Sequence, residues 1–209
     1  KAPDNDPETF AMLAEGKTQG VFQMESTGMT GVCVSMKPTS IEDLTAIVAL
    51  YRPGPMESIP KFVENKFNPG KVTYKTPLLE PILKVTYGCI VYQEQVIEIF
   101  RKLAGYSLGQ ADMVRRAMSK KKVKDIEKER GAFIRGDASR NITGCVANGI
   151  PEQTAEAIYN EMYDFANYAF NKAHSVCYAV IAYQTAWFKC YYPREYMAAL
   201  LTSVLDSSE

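Results

Sequence analysis

The sequence predicts a mainly α chain, an irregular multi-helix domain with at most a short extended or β segment near residues 86–92. Apolar residues recur at helical spacing almost throughout. Pro and Gly punctuate the chain where helices end. Asp and Ser stand where N-caps belong.

Residues 7–15 read as a short helix with Asp6 as N-cap and Pro7 at the first helical position. Ser40 opens a second helix that runs through Leu44, Ile47 and Tyr51 and stops at Arg52-Pro53-Gly54-Pro55, because Pro cannot continue a helix. A third occupies residues 58–67, closed by Asn68-Pro69-Gly70. Residues 71–91 are less regular, and 88–91 form the one run compatible with a brief strand. Val96, Ile99, Phe100 and Leu103 then mark a helix over 92–104, with Gly105 as its left-handed cap. Ser107-x-x-Gln110 has the form of a capping box and starts the helix that holds Arg115 and Arg116. A charged helix follows over 123–135, a loop over 141–149 and a helix over 151–166. A long helix starts near Asn171 and ends near Tyr191, and Pro193 restarts the chain into a closing helix. There is no internal repeat, so one helical unit is the economical reading, divisible into lobes at about 1–105 and 106–209.

Composition narrows the function classes. With 46% hydrophobic and 23% charged residues, the chain has the material for a packed core and is not a disordered segment. No apolar run reaches the roughly 20 residues of a membrane-spanning helix, so no membrane partner is expected. The start, Lys1-Ala2-Pro3-Asp4, lacks an initiator Met and a secretory h-region and reads as a piece of a longer protein. Five cysteines, an odd number with no CxxC pair, match no zinc site and fit the reducing cytoplasm.

The net charge is zero, yet between residues 101 and 135 eleven basic residues face four acidic ones. Such a block, including Lys120, Lys121 and Lys122, can track a phosphate backbone or simply form a solvated helix face. Arg115 and Arg116 have the planar fork suited to phosphate, while Asp112, three residues before Arg115, could instead pair with it within the helix. Asn171 is a good N-cap, which puts Lys172, His174 and Ser175 at a helix start whose amides favour anions. A lysine in solvent and a packed histidine are the plainer alternatives. Further polar candidates are Gln23 and Ser26 beside Phe22, Arg52 at a helix exit, and Tyr92 and Gln93 at another helix start. No convincing carboxylate pair for two-metal catalysis, no Walker loop, no GxSxG elbow and no HExxH is present.

Taken in order, GVFQMES at 20–26, ALYRPGPMES at 49–58, TYGCIVYQEQV at 86–96, AGYSLGQADMVRRAMSKKK at 104–122 and the stretch from 165 to 201 containing YAFNKAHS resemble the alpha subunit of bacterial DNA polymerase III, a C-family polymerase, in its DnaE form. The resemblance spans almost the whole chain. It implies a largely helical fingers region of a replicative polymerase that binds the incoming dNTP and contacts primer-template DNA. It implies triphosphate ligands at Arg115, Arg116, Lys172, His174 and Ser175, with Gln23, Ser26, Arg52, Tyr92, Gln93, Asn171 and Lys120–Lys122 as further nucleotide or DNA contacts. Mg2+ would be held by palm aspartates preceding residue 1, so the chain alone is not expected to polymerise DNA. The remaining alpha-subunit domains, the sliding clamp and other replisome subunits would be partners, the last two through regions outside this chain. Two other readings stand beside it. One is a non-enzymatic helical DNA-binding module that uses Asn148-Gly149-Ile150-Pro151. The other is a purely structural helical scaffold.

Overall fold

Helices dominate the residues described by the computed structural model, which are 3–119, 123–165 and 168–205. Eleven α-helices are described: α1 (Pro7–Ala14), α2 (Thr27–Met36), α3 (Ile41–Leu50), α4 (Ile59–Phe67), α5 (Glu80–Leu83), α6 (Gln93–Ala104), α7 (Leu108–Ser119), α8 (Val123–Arg135), α9 (Glu152–Phe165), α10 (Lys172–Tyr191) and α11 (Pro193–Val204). Among the described residues extended pairing is limited to two isolated bridges, Tyr92 with Phe170 and Asp137 with Ile142. The extended segment expected near 86–92 is thus reduced to one bridged residue at the entrance of α6. The mainly α class holds.

The chain divides into two units. The first comprises Lys1–Ile59 and Lys172–Glu209. Its centre is α10, which packs on α3, α1 and α11. Ala179, Ala182 and Ala186 of α10 are fully buried, and Ala46 and Ala49 of α3 are buried too. Small side chains on facing helices let their axes approach closely. Tyr183 of α10 stacks on Phe10 of α1 at 5.2 Å between ring centroids.

Helix α2 in this unit was not foreseen, because Gly28, Gly31 and the β-branched Thr27, Thr30, Val32 and Val34 are poor helix formers. Packing outweighs propensity here. Met29, Val32, Cys33 and Met36 are buried at the i, i+3, i+4, i+7 positions of one face. The Ser26 hydroxyl caps the helix by accepting from the Met29 amide at 3.3 Å.

The second unit comprises Pro60–Asn171. Its core draws Val96, Ile99, Phe100 and Leu103 from α6, Ala111, Val114 and Met118 from α7, Phe133 from α8, and Ile158, Tyr159 and Met162 from α9. Phe100 meets both Tyr106 and Phe133 edge-on at 5.1 Å. The lobe boundary expected near residue 105 lies inside this unit, where α6 and α7 pack directly on each other. The Gly105 cap, at φ 77°, turns the chain back and joins the two helices instead of separating lobes. Another close passage needs glycine outright. Gly144 has φ 84°, and a Cβ there would stand 2.3 Å from the Gly136 backbone nitrogen, so no side chain fits without moving backbone.

Candidate functional site

Two groups of candidate residues take definite form, one in each unit. In the second unit the capping box at α7 is made as its residues predict. The Ser107 amide donates to Gln110 Oε1 at 2.8 Å, and the Gln110 amide donates to Ser107 Oγ at 3.3 Å. One turn later Asp112 receives both arginines. Arg115 Nη2 donates to Asp112 Oδ1 at 2.9 Å, and Arg116 Nε donates to Asp112 Oδ2 at 2.8 Å. The side chain of Arg115 is 18% exposed and that of Arg116 is 68% exposed. The hydrogen bond from Arg115, with the charge of both guanidiniums, holds the Asp112 carboxyl below its ordinary range.

At the entrance of α6, Gln95 organises the backbone. Its Oε1 accepts from the Val91 and Tyr92 amides at 2.8 and 3.0 Å, while its Nε2 donates to Thr86 Oγ1 at 2.8 Å and Ile82 O at 3.3 Å. Tyr92 is buried, so its ring is not presented to a ligand in this conformation. Gln93 is half-buried, and its amide donates to Phe170 O at 3.0 Å. Asn171 is exposed and its side-chain amide donates to Glu94 Oε1 at 3.1 Å.

In the first unit, α10 begins at Lys172, as the sequence implies. Lys172 is half-buried and His174 exposed. The His174 ring stacks on Tyr178 one turn on, with 4.5 Å between centroids, and Tyr178 in turn meets Phe22 at 5.5 Å. The 20–26 motif therefore lies along α10, with Phe22 against its second turn. It is fastened there by Phe22 N donating to Thr185 Oγ1 at 3.1 Å, Lys189 Nζ donating to Gln19 O at 2.6 Å, and Tyr196 OH donating to Gly20 O at 2.6 Å. Gln23 is exposed and adopts φ 64°, a left-handed conformation uncommon for a residue with a side chain. Ser26 is exposed as the cap of α2. Arg52, half-buried at the exit of α3, donates from Nε to Ala49 O at 2.9 Å, and burial lowers its pKa.

Ser175 differs from what its position in the motif implies. It is fully buried, and its Oγ finds no hydrogen-bond partner among the described residues. It offers no surface to a phosphate in this conformation, because the i+3 position from Lys172 turns inward on α10. Lys120, Lys121 and Lys122 lie outside the described residues.

Tyr178 and the sharing of Asp112 by both arginines were missed in the sequence. The i+4 spacing of His174 and Tyr178, and of Asp112 and Arg116, was the available signal.

The loop of the alternative DNA-binding reading spends its backbone amides on its own carbonyls. The Asn148, Gly149 and Ile150 amides donate to carbonyls of Cys145 and Val146 at 3.0–3.1 Å. Asn148 Nδ2 donates to Leu103 O at 2.8 Å. A loop that grips phosphate with its amides needs them directed outward. Among the described residues no three His, Cys, Asp or Glu side chains cluster closely enough to hold a metal ion. Burial pushes the Cys33 thiol up to about 11 and the Cys145 thiol up to about 12, so neither is poised as a thiolate. No helix among the described residues is long and apolar enough to cross a membrane.

The fold and these two groups define a helical module with arginines and a histidine poised at helix surfaces. Comparison with known proteins is specific. The sequence pattern of the bacterial DNA polymerase III alpha subunit finger domain matches residues 1–141, and the chain belongs to that family. It is 48% identical over 207 residues to the DNA polymerase III subunit alpha of Halalkalibacterium halodurans, covering 99% of this chain and 18% of that protein. It is 47% identical over 206 residues to that of Treponema pallidum, covering 99% and 17%. With the Thermus aquaticus protein it shares 46% identity over 207 residues, covering 97% and 16%. The chain thus spans less than a fifth of the length of these relatives.

Proposed function

We propose that residues 1–209 form a finger-domain portion of a bacterial replicative DNA-directed DNA polymerase. This portion grips the triphosphate of the incoming dNTP and helps to hold the template. Membership of the finger-domain family carries this reading. The side-chain geometry supports it, because Arg116 is anchored at Nε by Asp112 while its side chain stays largely exposed. Arg115, Arg116, Lys172 and His174 are the phosphate ligands in this proposal. Gln23, Ser26, Arg52, Gln93 and Asn171 are further nucleotide or DNA contacts in this proposal.

The chemistry is electrostatic. Preorganised cations and N–H donors around the phosphates favour the charge that develops on the leaving oxygens as a nucleotide is added. Catalytic metal ions, the primer terminus, the sliding clamp and other replisome subunits are assigned to the rest of the longer polypeptide, at work in the cytoplasm. A hydrogen bond to a charged group contributes roughly 1.5–3 kcal/mol. Arg116→Ala or His174→Ala in the full-length polypeptide should therefore lower kcat/KM for nucleotide about tenfold to a hundredfold. Primer-template affinity, measured on the same preparations, should stay near that of the parent. Either variant incorporating nucleotide at the parental rate removes that residue from the site.

A further inference from the structure

Adjacent residues on a helix project about 100° apart, and two neighbouring guanidiniums repel each other. Left alone, the side chains at 115 and 116 would diverge. In α7 they converge on one carboxylate. Asp112 lies three and four residues earlier, on the face that both can reach. Its Oδ1 takes Nη2 and Nε of Arg115 at 2.9 and 3.3 Å, and its Oδ2 takes Nε of Arg116 at 2.8 Å. Each carboxylate oxygen thus serves one arginine. Because Asp112 holds Arg116 at Nε, near the root of its guanidinium, the two terminal nitrogens lie beyond the ion pair.

We propose that Asp112 is a positioning residue of the nucleotide site, fixing the two guanidiniums as a pair so that Arg116 meets the triphosphate with its rotamer already chosen. The inference rests on the nucleotide-site reading of Arg116. A flexible arginine surrenders side-chain freedom when it binds, and prior anchoring removes much of that loss. The carboxylate also offsets the mutual repulsion of the two cations, while the trio keeps a net positive charge to offer a polyphosphate. The competing explanation is an ordinary helix-surface ion pair that steadies α7 and does nothing for the ligand.

A double-mutant cycle on the full-length polypeptide separates these explanations. Asp112→Asn keeps the shape of the side chain and removes its charge. It should lower kcat/KM for dNTP about threefold to tenfold with primer-template affinity unchanged, and it should cause no further fall in an Arg116→Ala background. An undiminished fall in that background means that Asp112 does not act through Arg116, which overturns the proposal. So does a silent Asp112→Asn when Arg116→Ala is impaired. If Arg116→Ala is itself silent, the nucleotide-site reading fails first and the positioning role goes with it.

Discussion

Asp137 shows how single carboxylates hold the loop that follows α8. Its Oδ1 accepts from Ser139 N at 3.1 Å and Ser139 Oγ at 2.6 Å, and its Oδ2 accepts from Arg140 Nε at 2.7 Å. These bonds, from Ser139 first and Arg140 next, bring its pKa down to about 2. A carboxyl with a depressed folded-state value stabilises the fold above its unfolded value, about 4, and loses that contribution as pH falls toward the folded value. Acid titration should therefore weaken the protein between about pH 4 and pH 2. Asp112, also depressed, acts in the same direction. Asp137→Asn should flatten the fall in urea midpoint across that window. An unchanged slope in the variant would assign acid lability elsewhere. Arg140 also donates to Glu129 Oε1 at 2.6 Å, and Glu129 Oε2 accepts from Tyr106 OH at 3.0 Å, so the same loop is tied to α8 and to the core.

Among the elements, α6 depends most on one buried side chain. Gln95 satisfies two backbone amides and donates to two oxygens around residues 82–92. Gln95→Leu fills similar space but leaves the Val91 and Tyr92 amides buried without an acceptor. At about 1–3 kcal/mol for each orphaned group, the loss should be roughly 2–6 kcal/mol in urea unfolding, with faster hydrogen exchange at those two amides. A loss below about 1 kcal/mol would mean that the segment finds other partners.

Elements with strong end signals were legible in the sequence. Asp6-Pro7, Ser40 and Ser107 to Gln110 mark helix starts, Gly105 marks a helix end, and the helices lie where those residues put them. Helix α2 was not legible by propensity, since its stability comes from the four-residue apolar face that it buries. The α7 arginine pair was visible as charge in the sequence, but its geometry depends on which rotamers Asp112 selects. Burial of Ser175 and Tyr92 follows from tertiary packing, which residue type alone does not fix.

At the scale of the molecule, candidate phosphate ligands are distributed over both units, Arg115 and Arg116 in the second and Lys172 and His174 in the first. The proposed function requires the phosphates of the nucleotide to reach Arg116 in the second unit. The full-length polypeptide on primer-template, illuminated with a dNTP analogue bearing a photoreactive group on its γ-phosphate, tests that requirement most directly. Peptide mapping should recover the label from the α7 segment around Arg116, with excess unmodified dNTP abolishing it. Recovery of label without that segment would contradict the phosphate-binding role of Arg116.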